Sequence, residues 1–537
     1  MLLTGCTVGP DFTVPEPPNV QNLAPPNVPY TRHGPPGDRV DADGKVERLR
    51  FGQDIPGEWW TVFRSMQLTE LMQRALRDNY DVKSAQAALR VARANYEAQK
   101  GAFFPVVGVG EISSRQEVPT ADLTSPTISG SPFFTLHTAQ VTVSYVPDVF
   151  GGVRRQVEAV SAQAEAQRFV LEATYLTLTS NIALAAIQEA SLRAQLKETD
   201  EAISAEQKLY KAHENDLHID LIEATPRDWA ALLTGIRQAQ QTKPLLQKQL
   251  AAQRDLLTAL SGHFAGDGLR EQFYLSELLL PKDLPVSIPS QLIEQRPDVR
   301  AAEANLHATG ALVGVAIANR IPLFNLTGNI GQTSSHFNNL VNPVPPFLFW
   351  TIAGSVTQTV FDGFTLEQRQ RAAEAGWDQA AKQYQSTVVT AFQNIADVLQ
   401  AIYFDTKSLD SANQAANAAR RSLCLHVAAF VGYDGTSEPR SASLRFAKPG
   451  YQKAVQHDFG DWWGNMCKPH QHDLMKDLGH PGDRPTGIDV LTAEQVYLAS
   501  RLTLRIAEAS RYMDVVALFQ ALGGGWWNRS DVASGGP

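Results

Sequence analysis

Three places in this 537-residue chain carry side chains whose types and spacing could do chemistry. The first is Leu3-Thr4-Gly5-Cys6: an apolar residue and two small ones ahead of a cysteine, the form of a bacterial lipoprotein processing site in which the thiol receives lipid. The second is Cys467-x2-His470-x-His472. Thiolate and imidazole are zinc ligands, but this is not a standard zinc spacing, so no bound metal is expected. The third, Gly523-Gly524-Gly525, follows a helical pattern instead of opening one, and reads as a helix stop, not a phosphate cradle. No nucleophile elbow, phosphate loop or metal-spaced His/Glu pair stands beside them. The expectation is a protein that is not an enzyme and has no cofactor beyond covalent lipid on Cys6. Cys424 and Cys467 could pair in an oxidising compartment.

Composition narrows the classes further. Net charge is −9 and no Lys/Arg-rich run occurs, which removes the usual ground for nucleic-acid binding. The hydrophobic fraction of 43% is ordinary, and no unbroken apolar run of about 18 residues exists to make a transmembrane helix. A membrane crossing would fall to strands. Only five residues precede Cys6, far short of the roughly 15–30 of a secretory signal, so either a misassigned start codon or a trimmed sequence is expected. From Pro15 to Pro36 the prolines exclude helix and inner strand, leaving an extended strap.

The elements that would position these residues are written twice. Asp81-Val82-Lys83-Ser84-Ala85-Gln86-Ala87-Ala88-Leu89 reappears as Asp298-Val299-Arg300-Ala301-Ala302-Glu303-Ala304-Asn305-Leu306, and the same 217-residue offset relates Pro105 to Pro322. A register kept over that distance indicates two copies of one unit. In each copy an alternating apolar stretch is followed by an aromatic-glycine corner, Phe150-Gly151-Gly152 or Phe361-Asp362-Gly363, and then by a long helical pattern.

That pattern is unusually long. Val153 to Thr225 contains no Gly or Pro, and even 60 residues of helix would extend about 90 Å. Leu171, Tyr175, Leu178, Ile182, Ala185, Leu192, Leu196, Ile203 and Tyr210 fall on one 4-3 frame interrupted by Glu189, Thr199 and Glu206; the mean period of 3.5 is that of a coiled-coil seam. Val388, Phe392, Ile395, Leu399, Ile402 and Leu409 repeat it. Periodicity alone fits a plain coiled-coil rod equally well. The material before each helix does not: around 105–110, 138–145, 322–328 and 350–356 residues alternate as in half-buried strands. Four strands in two hairpins cannot close a barrel alone, whereas several chains could. Phe133, Phe134, Phe347, Phe349 and Trp350 suit its interfacial aromatic girdle. Pro226 and Pro244 should end or kink the returning helix.

The segment Leu284-Pro285-Val286 through Glu294-Gln295-Arg296-Pro297-Asp298-Val299-Arg300-Ala301-Ala302-Glu303 closely resembles the central signature of the outer-membrane efflux lipoproteins, the TolC-like channel components of tripartite RND-type pumps. Thr7-Val8-Gly9-Pro10-Asp11-Phe12, Trp59-Trp60-Thr61-Val62-Phe63, Pro147-Asp148-Val149-Phe150-Gly151-Gly152-Val153-Arg154-Arg155 and Ala521-Leu522-Gly523-Gly524-Gly525-Trp526 are similar to the family in order. The resemblance implies an α+β membrane protein: a homotrimer with four strands per chain in a shared twelve-stranded barrel, continuing into a periplasmic helical coiled-coil barrel. It implies a lipid anchor at Cys6 in the outer membrane of a Gram-negative bacterium, with a periplasmic adaptor and an inner-membrane RND-type transporter as partners. The function implied is a passive duct for small molecules. The alternatives are the duct of a type I secretion or metal-efflux system, or a non-pore coiled-coil spacer.

In that family acidic residues at the periplasmic tip take part in gating, which points to Asp216 and then Asp220 within Tyr210–Leu221; three copies would form rings of like charge. The expected organisation is a lipidated N-terminus and strap (1–55), a first repeat (56–283), a second repeat (284–527) with an atypical insertion at about 424–486, and a tail (528–537). The insertion departs from the family pattern and carries both Cys467 and the nearby histidines. A frameshifted stretch is one explanation for it.

Overall fold

The computed structural model describes residues 7–16, 48–51, 54–117, 133–216, 226–280, 283–286, 294–341, 348–431 and 487–529. In chain order these form strand β1 (Arg48–Phe51), helices α1 (Met66–Asp78) and α2 (Tyr80–Lys100), strands β2 (Val106–Glu117) and β3 (Phe133–Tyr145), and helices α3 (Gly152–Asp216) and α4 (Pro226–Leu260). Then come strand β4 (Asp283–Val286), helix α5 (Pro297–Ala318), strands β5 (Leu323–Ser334) and β6 (Leu348–Thr357), and helices α6 (Thr365–Val431) and α7 (Gly487–Ala521). Helices α2 and α5 begin at 80 and 297, and strands β2 and β5 at 106 and 323, both 217 residues apart.

The chain divides into two compact units. The first, Met1–Pro17 with Ser84–Glu172 and Pro297–Thr390, holds a four-stranded antiparallel sheet in the order β2-β3-β5-β6. Hairpin β2-β3 pairs Val106 with Ser144 through Glu117 with Phe133, and hairpin β5-β6 pairs Leu323 with Thr357 through Gln332 with Leu348. Strands β3 and β5 join the two hairpins from His137–Ser334 to Tyr145–Leu326. After each hairpin a carboxylate starts the next helix. Asp148 accepts from the amides of Val153 and Arg154, both at 2.9 Å, and Asp362 from those of Thr365 and Leu366 at 3.1 and 2.8 Å. These bonds satisfy first-turn donors that have no intrahelical partner.

The second unit, Pro18–Lys83 with Ala173–Arg296 and Ala391–Pro537, is organised around one apolar core. Trp59 stacks on Phe519 with ring centroids 5.4 Å apart, and Phe63, Leu71, Met72, Ile182, Leu257 and Phe273 fill in around them. Strands β1 and β4 pair in parallel. Asn79 ends α1 and begins α2, its Oδ1 accepting from the amides of Asp81 and Val82 while its Nδ2 donates to the Leu260 carbonyl. The glycine run after α7 adopts positive φ, and a Cβ at Gly523 would lie 2.5 Å from the Gln295 carbonyl oxygen, so only glycine fits there. The stop read from the sequence is therefore also a site of close backbone approach.

The 4-3 frame of α3 corresponds to its buried side. Leu178, Ile182, Ala185 and Leu192 are buried, and so are the polar interruptions Glu189, Thr199 and Glu206. The stretch Gly152–Ser204 is long and apolar enough to cross a membrane by composition, but 56% of its most apolar window is buried inside the fold, as in a core helix.

Pro226 is the first residue of α4, where proline's missing N–H costs nothing, and Pro244 lies inside α4 without ending it. Helix α6 runs to Val431. One expectation needs correction. Of the aromatic girdle, Phe133 and Trp350 share one face of the sheet but Phe134 and Phe349 lie on the other, because adjacent strand residues point to opposite faces. Phe347 lies outside the described residues.

Candidate functional site

The two faces of the four-stranded sheet have opposite chemistry. Along the ladder, one face carries Val107, Val109, Val141, Val143, Leu326, Ile330, Trp350, Ile352 and Val356, every one of them exposed, with Val109 at 85% and Ile352 at 81%. The other carries Gly108, Gly110, Gln140, Thr142, Thr327, Asn329, Thr351 and Ser355 along its middle, with exposed Val106 and Leu323 at the helix end and Ile112, Phe134 and Phe349 towards the far end. Exposed apolar residues on this scale call for a non-aqueous environment on that side. The polar face suits water. Away from the helices the apolar face ends in a polar cluster, where Ser113 Oγ lies 2.5 Å from both His137 Nδ1 and Glu111 Oε1. Strands β2 and β6 form the sheet's two edges, and neither has an outer neighbour among the described residues.

At the start of α3 the chain's N-terminal segment is fastened down. Arg155, its side chain 4% exposed, donates from Nε to the Val8 carbonyl at 3.0 Å, from Nη2 to the Gly9 carbonyl at 3.3 Å and to Asp11 Oδ1 at 2.6 Å, and from Nη1 to Glu158 at 2.8 Å. The Val8 amide donates to the Phe150 carbonyl at 3.2 Å, and Phe12 stacks on His307, itself 2.9 Å from Glu158. Thr7 thus sits against Gly151, a few residues beyond the end of β3. Cys6 is the next residue towards the amino terminus and lies outside the described residues.

On the helical seam, charged residues are answered by partners distant in sequence. Fully buried Glu189 receives Arg193 from its own helix and Arg254 from α4, each at 2.8 Å, and Arg254 also donates to the carbonyls of Leu269 and Glu271. Glu271 in turn pairs with Arg74 of α1 at 2.9 Å. Nearer the end of α3, Glu198 accepts from both Arg501 and Arg505 of α7. Burial pushes the Glu198 carboxyl upward, but the bonds and charges of these two arginines outweigh it and hold it below the usual range.

Asp216 is the last residue of α3, its side chain outside the described residues; Asp220, between α3 and α4, is likewise outside them. Cys467, His470 and His472 fall within 432–486, also outside them. Cys424 is buried on α6 and disulfide-bonded. Reading the motifs alone left out the Arg155 clasp and the two glutamate–arginine clusters. Glu189 at a seam position is the signal for the first of those clusters, and Arg155 and Asp11 stand in the family-like segments.

A sheet with an exposed apolar face, in a chain that also holds helices of 65 and 67 residues, is the make-up of a membrane channel component. The family described as outer membrane efflux protein matches residues 71–263 and 288–431, and the chain belongs to that family. It is an outer-membrane efflux protein of Gram-negative type. Among curated relatives, the probable efflux pump outer membrane protein TtgC of Pseudomonas putida is 26% identical over 401 residues, covering 74% of this chain and 78% of its own. The cation efflux system protein CusC of Escherichia coli is 24% identical over 526 residues, covering 98% and 97%. Among solved structures, the outer-membrane channel OprN has a TM-score of 0.75 at 22% identity over 97% of this chain, and the Campylobacter jejuni channel CmeC 0.75 at 19% over 98%. Both share the fold.

Proposed function

We propose that three copies of this chain join their sheets, β2 of one to β6 of the next, into a twelve-stranded barrel in the outer membrane, and that the long helices of the same three copies continue it as a periplasmic tunnel. The observation that carries this is a sheet whose two edges have no outer neighbour among the described residues, with an exposed apolar face and a polar face. Strands survive in lipid only where every edge is paired, and four strands are too few to close. The doubled order of helix, hairpin and long helices makes each chain two pseudo-equivalent staves, six in the trimer. The duct is passive: an inner-membrane transporter of RND type supplies the energy and a periplasmic adaptor bridges the gap. Lipid on Cys6 would anchor the chain, and the Arg155 clasp supports this by holding Thr7 close to where the sheet ends. Asp216 and Asp220 would ring the tunnel tip and favour cations. The relatives' names span toxic organic compounds and cations, so cargo choice is assigned to the transporter.

The test is edge-to-edge crosslinking. Cysteines replacing Gly110 in β2 and Ala353 in β6 should give, on oxidation in membranes, a product of three chains and nothing larger. An open ladder of higher species, or no intermolecular product from trimers seen by another method, would count against closure.

A further inference from the structure

The seam of α3 also holds a pair of buried acids for which no cation is supplied among the described residues. Glu206 is 1% exposed and Glu494 of α7 is 6% exposed, and each has a carboxyl oxygen with no hydrogen-bond partner among the described residues. The two face each other. Helices α3 and α7 run antiparallel in a register set by the Glu198–Arg501 pair; eight residues further along α3 and seven back along α7 lead to Glu206 and Glu494. Two turns away, then, a carboxylate meets two guanidinium groups; here a carboxyl meets a carboxyl.

The groups at the same level on the neighbouring helices do not answer the pair. On α4, in the register set by Glu189–Arg254 and Asp200–Lys243, Arg237 is exposed and donates to Gln240 at 3.0 Å. Lys243 is bonded to Asp200 at 2.7 Å. On α6, continuing from the contact of Ala416 with Leu504, the level residue is His426, whose Nδ1 lies 2.8 Å from the Ser422 carbonyl. On α7 itself Asp489 is another acid, exposed. No described cation reaches either carboxyl within ion-pair distance.

We propose that Glu206 and Glu494 form a proton-held clasp between α3 and α7, closed while at least one of them is protonated and parted when both ionise. Two buried carboxylates face to face cannot both carry charge without large cost, and a shared proton converts repulsion into a hydrogen bond. Burial raises the Glu206 carboxyl to about 7, and burial together with the Glu206 charge raises Glu494 to about 8. Both folded values lie above the unfolded value of 4.5. The folded state therefore holds protons the unfolded chain has released, and the clasp's contribution falls as pH rises through the folded values. The clasp stands whether or not the helices wall a duct.

Hydrogen exchange of the full-length protein, corrected for the intrinsic pH dependence of amide exchange, tests it. Protection of 198–207 and 490–500 should fall about tenfold between about pH 6 and about pH 9. In the double variant Glu206→Gln with Glu494→Gln it should stay flat, since two amides can bond without a proton. Flat protection in the natural protein, or an unchanged pH dependence in the double variant, overturns the clasp. Should that variant fail to fold, the infrared spectrum of the natural protein decides. A protonated-carboxyl stretch present near pH 6 and lost by about pH 9 supports the clasp, and its absence at the lower pH overturns it.

Discussion

At the scale of single residues, the seam's acids differ by what faces them. Glu189 lies between Arg193 and Arg254, and removing one partner of a buried pair leaves an unanswered charge. Arg254→Ala should cost about 3 kcal/mol in thermal or denaturant unfolding, because Arg193 remains, whereas Glu189→Leu with Arg254→Leu should cost much less. Glu198 behaves in the opposite sense to Glu206. Its folded carboxyl lies below the unfolded value of 4.5, so its stabilisation is present above that value and is lost as pH falls through the depressed one. Acid titration should therefore loosen the Glu198–Arg501–Arg505 cluster, and Glu198→Gln should remove that acid-dependent component. An acid profile identical in the variant would argue against the assignment.

At the scale of elements, the sheet makes the sharpest contrast. Neighbouring residues Thr351 and Ile352 point to opposite faces, so the same charged replacement should have opposite consequences. Ile352→Arg on the apolar face should cost about 2–4 kcal/mol of folding into lipid, while Thr351→Arg on the polar face should be tolerated and alter ion flow. Equal effects of the two on folding yield would contradict the assignment of faces. The same alternation explains what the sequence could and could not disclose. Strand existence, hairpin pairing and the 217-residue register could be read from spacing, because helix α5 and strand β5 begin where the repeat puts them. Phe134 and Phe349 were misplaced because a cluster of aromatics indicates an interface but not which face each side chain takes. Periodicity likewise put Glu189 and Glu206 on the seam. It could not say that one meets an arginine 65 residues away and the other a second acid. Pro244 shows the converse: proline's tendency to end a helix is overridden inside a long one.

At the scale of the whole molecule, the N-terminal segment and the helical ends carry the expectations that matter for assembly. Arg155→Ala should free the segment after Cys6, seen as faster proteolysis between residues 7 and 16 with the four-stranded sheet intact. The most direct measurement of the account is conductance of the purified protein in planar bilayers. Trimers closed by three sheets should insert as discrete, cation-selective steps, with selectivity reduced by Asp216→Asn. Trimers that reach the bilayer and pass no ions under any pH or voltage, or an inserted monomer that conducts, would contradict a duct shared by three chains.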